Sequence, residues 1–114
     1  MIRLKRVYDD PAKEDGIRIL VDRLWPRGLK KEDANIDLWL KEIAPSSELR
    51  KWFNHEPDKW KEFCQRYSKE LDKNTEELRV LQKLSECCKT TFVYSAHSRE
   101  YNNAVALKKF LKSI

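Results

Sequence analysis

The stretch that decides the fold is IRILVDRLWPRG, residues 17–28. Its first five residues are mostly β-branched and apolar on both faces, which is typical of a central strand covered on both sides. The chain then changes to an acid, two arginines and a tryptophan, and Pro26 and Gly28 favour a turn. The segment after the strand is therefore either a structural corner or part of a binding site.

Three further segments carry strand signals. Residues 90–96, TTFVYSA, form a second run of the buried type, and residues 1–10, MIRLKRVYDD, alternate apolar with basic side chains. Residues 36–45, IDLWLKEIAP, fit either a short strand or a helical turn that Pro45 ends.

Four amphipathic helices are expected from the apolar spacing. The clearest follows Pro57, and the others begin near Ser46 or Ser47, near Thr75 and near Glu100. The expected inward residues are Leu49, Trp52 and Phe53 in the first; Trp60, Phe63, Cys64, Tyr67 and Leu71 in the second; Leu78, Leu81, Leu84 and Cys88 in the third; and Ala104, Leu107, Phe110 or Leu111, and Ile114 in the last.

This order of elements predicts an α/β fold. Strands joined through helices pair in parallel with right-handed crossovers, so we expect a small, mainly parallel sheet with helices packed on it, three-layered and Rossmann-like.

At 114 residues the chain fits a single domain, 1–114. It has no apolar run of membrane-spanning length, and its first residues lack the apolar core of a signal peptide, so we expect a cytoplasmic protein without a membrane partner.

The net charge of +5 is unevenly distributed. Residues 1–31 hold nine Lys and Arg against five Asp and Glu, residues 32–86 hold ten against thirteen, and residues 87–114 hold five against one. If the fold brings the two basic ends together, one face becomes positive and suits an anion.

The cysteines and the known motifs exclude several kinds of site. Cys64, Cys87 and Cys88 show no CxxC spacing, so we expect reduced cysteines, with neither a disulfide framework nor a zinc site. The chain has no P-loop, GxGxxG or HExxH motif, which argues against standard ATPase, dinucleotide and zinc-protease functions. We therefore expect no cofactor and no metal.

Two polar segments follow the predicted central strands, residues 22–28 and residues 94–103. Ligands of open parallel sheets bind beyond the carboxyl ends of the strands, and backbone N–H groups that open a helix favour anions. We therefore predict that the two segments form the walls of one anion pocket. Its candidate residues are Asp22, Arg23, Arg27, Ser95, Ser98, Arg99 and Asn102.

Each of these residues also has a purely structural interpretation. Ser98 is a possible cap of the last helix, Asp22 a possible partner of Arg23 or Arg27, and Trp25 a possible core residue. His97 is a weak candidate for an acid or base, because a single histidine in a polar loop is more often solvated or structural.

The chain resembles the YeaO-like branch of domain-of-unknown-function family number 488. The resemblance lies in GIRILVDRLWPRGLKKED, WLKEIAPSSELRKWFNHEPDKWKEF, RYSKEL and VYSAHSREYNNAVALKKFL, which together cover nearly the whole chain. It implies a bacterial or archaeal cytoplasmic α/β protein. Other branches carry a cysteine at the last strand and a downstream Cys-His-Arg set; here Tyr94 to Ala96 and Glu100 to Asn103 stand at those places, which argues against thiol chemistry.

Three functions remain in view. The first is binding, and possibly processing, of a small phosphate- or carboxylate-bearing ligand such as a nucleotide at the carboxyl ends of the strands. The second is a nucleic-acid-associated accessory protein, suggested by the basic ends, although no recognition-helix or RNA-binding pattern occurs. The third is a hydrolase that uses His97 and Asp22, which requires these two side chains to lie within hydrogen-bond reach.

Overall fold

A computed structural model describes residues 2–114, which form four strands and five α-helices. The strands are β1 (Ile2–Arg6), β2 (Ile17–Leu20), β3 (Leu38–Trp39) and β4 (Thr90–Tyr94). The helices are α1 (Lys31–Ala34), α2 (Ser47–Phe53), α3 (Trp60–Leu71), α4 (Thr75–Cys87) and α5 (Asn103–Ser113). None of these helices is long and apolar enough to cross a lipid bilayer.

The four strands form one parallel sheet in the order β1-β4-β2-β3. Ile17 lies opposite Thr90 and Leu20 opposite Val93, so β2 and β4 are the central neighbours. This confirms the predicted α/β class and the parallel pairing of the two buried strands. It also places the carboxyl ends of all four strands at one edge of the sheet.

The two faces of the sheet are covered differently. Ile19, Val21, Phe92 and Tyr94 pack under α2, α3, α4 and α5 in the main core. On the other face, Leu20, Val93 and Val7 form a smaller cluster under the segment of residues 25–39. The third layer is therefore a thin one, built from a loop and the single-turn α1, with Trp39 of the edge strand β3 packed against the same cluster. That loop is the continuation of the stretch after β2.

Residues 36–45 contain both of the structures that their sequence allowed. Leu38–Trp39 form the short edge strand β3, and Lys41–Ile43 form one turn of 3₁₀ helix. The carbonyl of Ile43 accepts a hydrogen bond of 2.6 Å from the Tyr67 hydroxyl, which is buried under α3. Burial also raises the pKa of Tyr67 above its ordinary value.

The apolar stripe of α3 packs against the sheet as predicted. Phe63, Tyr67 and Leu71 are buried in the main core, while Trp60 and Cys64 are half-buried at its margin. Phe63 also contacts Phe53 of α2, with ring centroids 4.5 Å apart. The i, i+3, i+4 spacing therefore identified the inward face of this helix correctly.

Three details of the helix ends differ from expectation. Cys88 and Ile114 are exposed, not inward, because α4 ends at Cys87 and α5 at Ser113. Cys88 turns to an extended conformation, with φ −146°, and forms a vicinal disulfide with Cys87, contrary to the expected reduced cysteines. The last helix begins at Asn103, three residues later than expected, because Asn102 caps it.

Arg18 is the one charged residue within β2, and it is buried in an ion-pair network. Its guanidinium donates to Asp15 Oδ2 at 2.6 Å and to the carbonyl of Ala34 at 3.0 Å. Lys5 Nζ donates to the same Asp15 carboxylate at 3.2 Å. The Arg18 guanidinium and the Asp15 carboxylate thus both have hydrogen-bond partners, so this charged residue is tolerated inside a central strand.

Candidate functional site

A cleft of about 930 Å³ lies at the sheet edge where β2 and β4 end. Both polar segments predicted from the sequence line it: Asp22, Arg23 and Arg27 on one side, and Ser95, His97 and Asn102 on the other. The two segments are therefore walls of one cleft, at the position where open parallel sheets bind ligands.

Asp22 ties the two walls together. Its Oδ2 accepts hydrogen bonds from the Ser95 N–H at 2.9 Å and from the Ser95 hydroxyl at 2.7 Å. Its Oδ1 accepts a third from Asn103 Nδ2 at 3.0 Å, and the same amide also donates to the Val21 carbonyl at 2.8 Å. The carboxylate therefore fixes the loop after β4 and the start of α5 to the end of β2.

Arg6, at the end of β1, holds the same loop from the other side. Its Nε donates to the Ala96 carbonyl at 2.8 Å, and its terminal nitrogen donates to the Ser95 carbonyl at 3.2 Å. The guanidinium also lies 5.2 Å from the centroid of the Tyr8 ring. Arg6 lines the cleft as well, so it contributes positive charge there.

Arg23 does not pair with Asp22, as one interpretation of the sequence proposed. It donates instead to the carbonyls of Ala44 at 3.1 Å and Pro45 at 3.3 Å, and so anchors the segment before α2 to the end of β2. The residue also lines the cleft. It therefore has a structural function whether or not it contacts a ligand.

The segment after Arg23 is a structural corner. Trp25 donates through its indole N–H to the Leu29 carbonyl at 2.6 Å and packs edge-on against Trp39, with centroids 5.5 Å apart. Leu29 N–H closes a turn on the Pro26 carbonyl, and Gly28 takes the positive φ of 75° that the turn requires. The corner leaves the Arg27 side chain exposed on the cleft wall.

The start of α5 differs from the predicted anion site. The Ser98 hydroxyl accepts from the N–H groups of Tyr101 at 3.0 Å and Glu100 at 3.3 Å, and Asn102 Oδ1 accepts from Val105 N–H at 3.0 Å. The N–H groups of Glu100 and Tyr101, which were expected to face a ligand, are therefore already occupied within the protein.

Two candidate residues lie outside the cleft lining. Ser98 stabilises the turn before α5, as described above, and Arg99 forms a two-point ion pair with Asp9, at 2.9 and 3.1 Å. The pKa of the Asp9 carboxyl lies below its ordinary value, chiefly because Arg99 donates to it. The structure gives neither residue a place on the cleft wall.

The sequence did not reveal a third wall, which the end of α2 and the residues after it provide. Arg50, Lys51, Asn54 and His55 all line the cleft. Asn54 and His55 both have positive φ, 46° and 56°, which reverses the chain sharply after the helix. The only sequence signal for this wall was the adjacent pair of basic residues, and they lie in the segment with the most acidic balance.

The cleft is strongly positive. Five of its lining residues are cationic and one, Asp22, is anionic; the cations are Arg6, Arg23, Arg27, Arg50 and Lys51. Within residues 2–114, the side chains of Arg27, Arg50 and Lys51 make no hydrogen bond or ion pair. The charge comes from the first basic segment and from α2, whereas the basic carboxyl-terminal segment, expected to contribute, supplies none of these cations.

His97 and Asp22 do not form the hydrogen-bonded pair on which the hydrolase hypothesis depended. His97 lines the cleft but is exposed, and both carboxylate oxygens of Asp22 are bonded to Ser95 and Asn103, not to His97. Within the described part of the chain, no three His, Cys, Asp or Glu side chains converge in a way that suits a metal ion.

The chain matches the family described as "Inactive DUF488-N3 subclade" over residues 1–114. It is 44% identical over 113 residues to the protein YeaO of Escherichia coli K12, covering 99% of this chain and 98% of that one. It is also 39% identical over 110 residues to Mb3100c of Mycobacterium bovis and to Rv3073c of Mycobacterium tuberculosis, covering 96% of this chain and 92% of each relative. No solved structure matches it significantly.

Proposed function

The chain belongs to the inactive DUF488-N3 subclade, and we propose that it is a non-catalytic binding domain that holds a small phosphate- or carboxylate-bearing ligand, such as a nucleotide, in the cleft beyond β2 and β4. The observation that carries the proposal is the charge of the cleft, where five cations surround one carboxylate. Three neutral hydrogen-bond donors already hold the Asp22 carboxylate, and the five cations outnumber its single negative charge, so the cleft suits an anion.

The three unpaired cations are the proposed ligand contacts. Arg27, Arg50 and Lys51 lie on two different walls and have no hydrogen-bond or ion-pair partner in residues 2–114. Guanidinium groups bind phosphate and carboxylate through paired, charge-assisted hydrogen bonds, which are stronger than neutral ones. A ligand between the two walls would supply the partners that the protein does not.

The same geometry supports the non-catalytic part of the proposal. Asp22, Ser95 and Asn102, which are buried or partly buried in the cleft, are engaged in holding the loops together. A general acid or base needs to reach a reacting atom, and these groups are committed to the fold. The family description, which names an inactive subclade, supports the same conclusion.

The test is calorimetric titration of the wild-type protein with phosphate, pyrophosphate, adenosine monophosphate and citrate. Arg50→Ala should raise the Kd of a bound ligand at least about tenfold, because one charge-assisted interaction contributes about 1.5–3 kcal/mol. Arg79→Ala, which removes an exposed cation from α4 outside the cleft, is the matched control and should leave the Kd unchanged.

Two results would contradict the proposal. One is the failure of every ligand in the panel to bind the wild-type protein. The other is an equal loss of affinity in Arg50→Ala and Arg79→Ala, which would indicate nonspecific attraction to net charge. Tight binding of a single-stranded oligonucleotide with that second pattern would favour the nucleic-acid-associated alternative.

A further inference from the structure

The mouth of the cleft carries apolar side chains that the anion alone does not explain. Tyr8 is 42% exposed and Leu24 is 62% exposed, and both line the cleft. In residues 2–114 only two other large hydrophobic side chains are exposed, Val80 and Ile114, and neither lines this cleft. Single exposed apolar residues are common on proteins, but two at one cationic cleft indicate a surface that is covered on binding.

The Tyr8 ring is held in place before any ligand arrives. Its hydroxyl donates to the Arg27 carbonyl at 2.9 Å, which attaches the ring to the turn that follows Leu24. The Arg6 guanidinium lies 5.2 Å from the ring centroid. A ring with restricted motion loses little entropy when a ligand stacks on it, so it makes an efficient binding surface.

The size of the cleft also indicates a ligand larger than a single anion. At about 930 Å³ it is at the upper end of the range typical of small-molecule sites, and a single phosphate would occupy a small part of it. The unpaired cations Arg50 and Lys51 belong to α2, whereas Tyr8 and Leu24 belong to segments that follow β1 and β2. Arg50 and Lys51 thus belong to a different wall from Tyr8 and Leu24, whereas Arg27 belongs to the same segment as Leu24.

We infer that the ligand joins an anionic group to a planar aromatic ring, as a nucleoside monophosphate does, and that Tyr8 and Leu24 bind the ring while the cations bind the anion. This inference rests on the proposed function, since it assigns a ligand class to the same cleft. Every nucleobase can stack on an aromatic side chain. The contacts described here therefore favour ligands that carry an aromatic ring but do not distinguish one base from another.

The test compares ligands that share the anion but differ in the ring. We expect adenosine monophosphate to bind the wild-type protein at least about fivefold more tightly than ribose 5-phosphate in calorimetric titrations. Leu24→Ser should weaken adenosine monophosphate about fivefold and leave ribose 5-phosphate unchanged. Val80→Ser is the matched control: it removes an exposed apolar side chain of α4 outside the cleft, and should change neither affinity.

The outcomes separate this inference from the proposal beneath it. Equal affinities for adenosine monophosphate and ribose 5-phosphate, or equal losses of both in Leu24→Ser, overturn the aromatic-ring inference and leave anion binding intact. If neither compound binds and no other ligand of the panel, citrate included, binds either, the proposed function itself fails. Benzoate serves as a third arm: if it binds more tightly than adenosine monophosphate and is weakened by Leu24→Ser, the ring is supported and the source of the anion is a carboxylate.

Discussion

The carboxylate of Asp22 accepts two hydrogen bonds from Ser95, one from its N–H at 2.9 Å and one from its hydroxyl at 2.7 Å. Asp22 follows the second strand and Ser95 follows the fourth, 73 residues later along the chain. A single side chain therefore joins the segments that follow the two central strands. The same bonds explain why an acid is present in a cleft whose other charges are positive.

Asp22→Ala should lower the free energy of unfolding by about 1.5–3 kcal/mol, because three donors lose a charged acceptor at a partly buried site. Urea denaturation measures the change. Asp10→Ala removes an exposed carboxylate at the end of the loop after β1 and should change stability by less than about 0.5 kcal/mol. Equal effects of the two substitutions would show that Asp22 does not join the strands.

Asp15→Ala should destabilise the protein more strongly, by about 3–5 kcal/mol, because it leaves the buried Arg18 guanidinium without its partner. The matched control is the exposed ion pair of Glu62 and Arg66 on α3, where Glu62→Ala should cost less than about 0.5 kcal/mol. A loss below about 1 kcal/mol in Asp15→Ala would mean that Arg18 finds a substitute acceptor.

The contribution of Asp15 should depend on pH in a defined direction. Burial acts to raise the pKa of this carboxyl, but hydrogen bonds from the Ala12 N–H, Arg18 and Lys5 outweigh it and lower the pKa below its ordinary value. Because the folded-state pKa is the lower one, the stabilisation is complete above the carboxyl range of about pH 4 and is lost as the pH falls through the lowered value. The difference in unfolding free energy between wild type and Asp15→Ala should therefore shrink as the pH falls below about 4. A difference that stays constant throughout acid titration would contradict the assignment.

The two glycines should respond unequally to alanine. Gly16 has φ 64°, and a Cβ there would lie 2.3 Å from the backbone oxygen of Lys89, so Gly16→Ala should cost more than about 3 kcal/mol or prevent folding. Gly28 has φ 75° but open space around it, so Gly28→Ala should cost only the conformational penalty of about 1–2 kcal/mol. Thermal and urea denaturation of both variants test this order, and a reversed order would contradict the close approach at Gly16.

Phe63→Ala should lower the free energy of unfolding by about 3–5 kcal/mol, because its ring is 2% exposed and lies at the junction of α2 and α3. Val80→Ala, on the exposed face of α4, should change stability by less than about 0.5 kcal/mol. A small effect of Phe63→Ala would mean that the apolar stripe of α3 does not pack in the core.

The order of strands and helices, apart from the single-turn α1, could be predicted from the sequence, because periodicity reports which face of an element is buried. The apolar run of residues 17–21 and the stripe through Phe63, Tyr67 and Leu71 were sufficient for the parallel sheet and its main helix. The general place of the candidate cleft also followed, because parallel strands end at one edge and polar residues come after two of them.

The partners of the polar side chains were decided by the tertiary structure alone. Arg99 was a site candidate, but Asp9 is close enough to bind it, while Arg50 and Lys51 reach the cleft only because α2 packs beside the end of β2. Sequence spacing describes neighbours along one element, whereas ion pairs and hydrogen bonds join residues that the fold brings together from distant positions. For this protein the sequence determined most of the apolar residues that lie inside, and the packing of α2 and of the loops after β1, β2 and β4 decided which charges remain without a partner in the cleft.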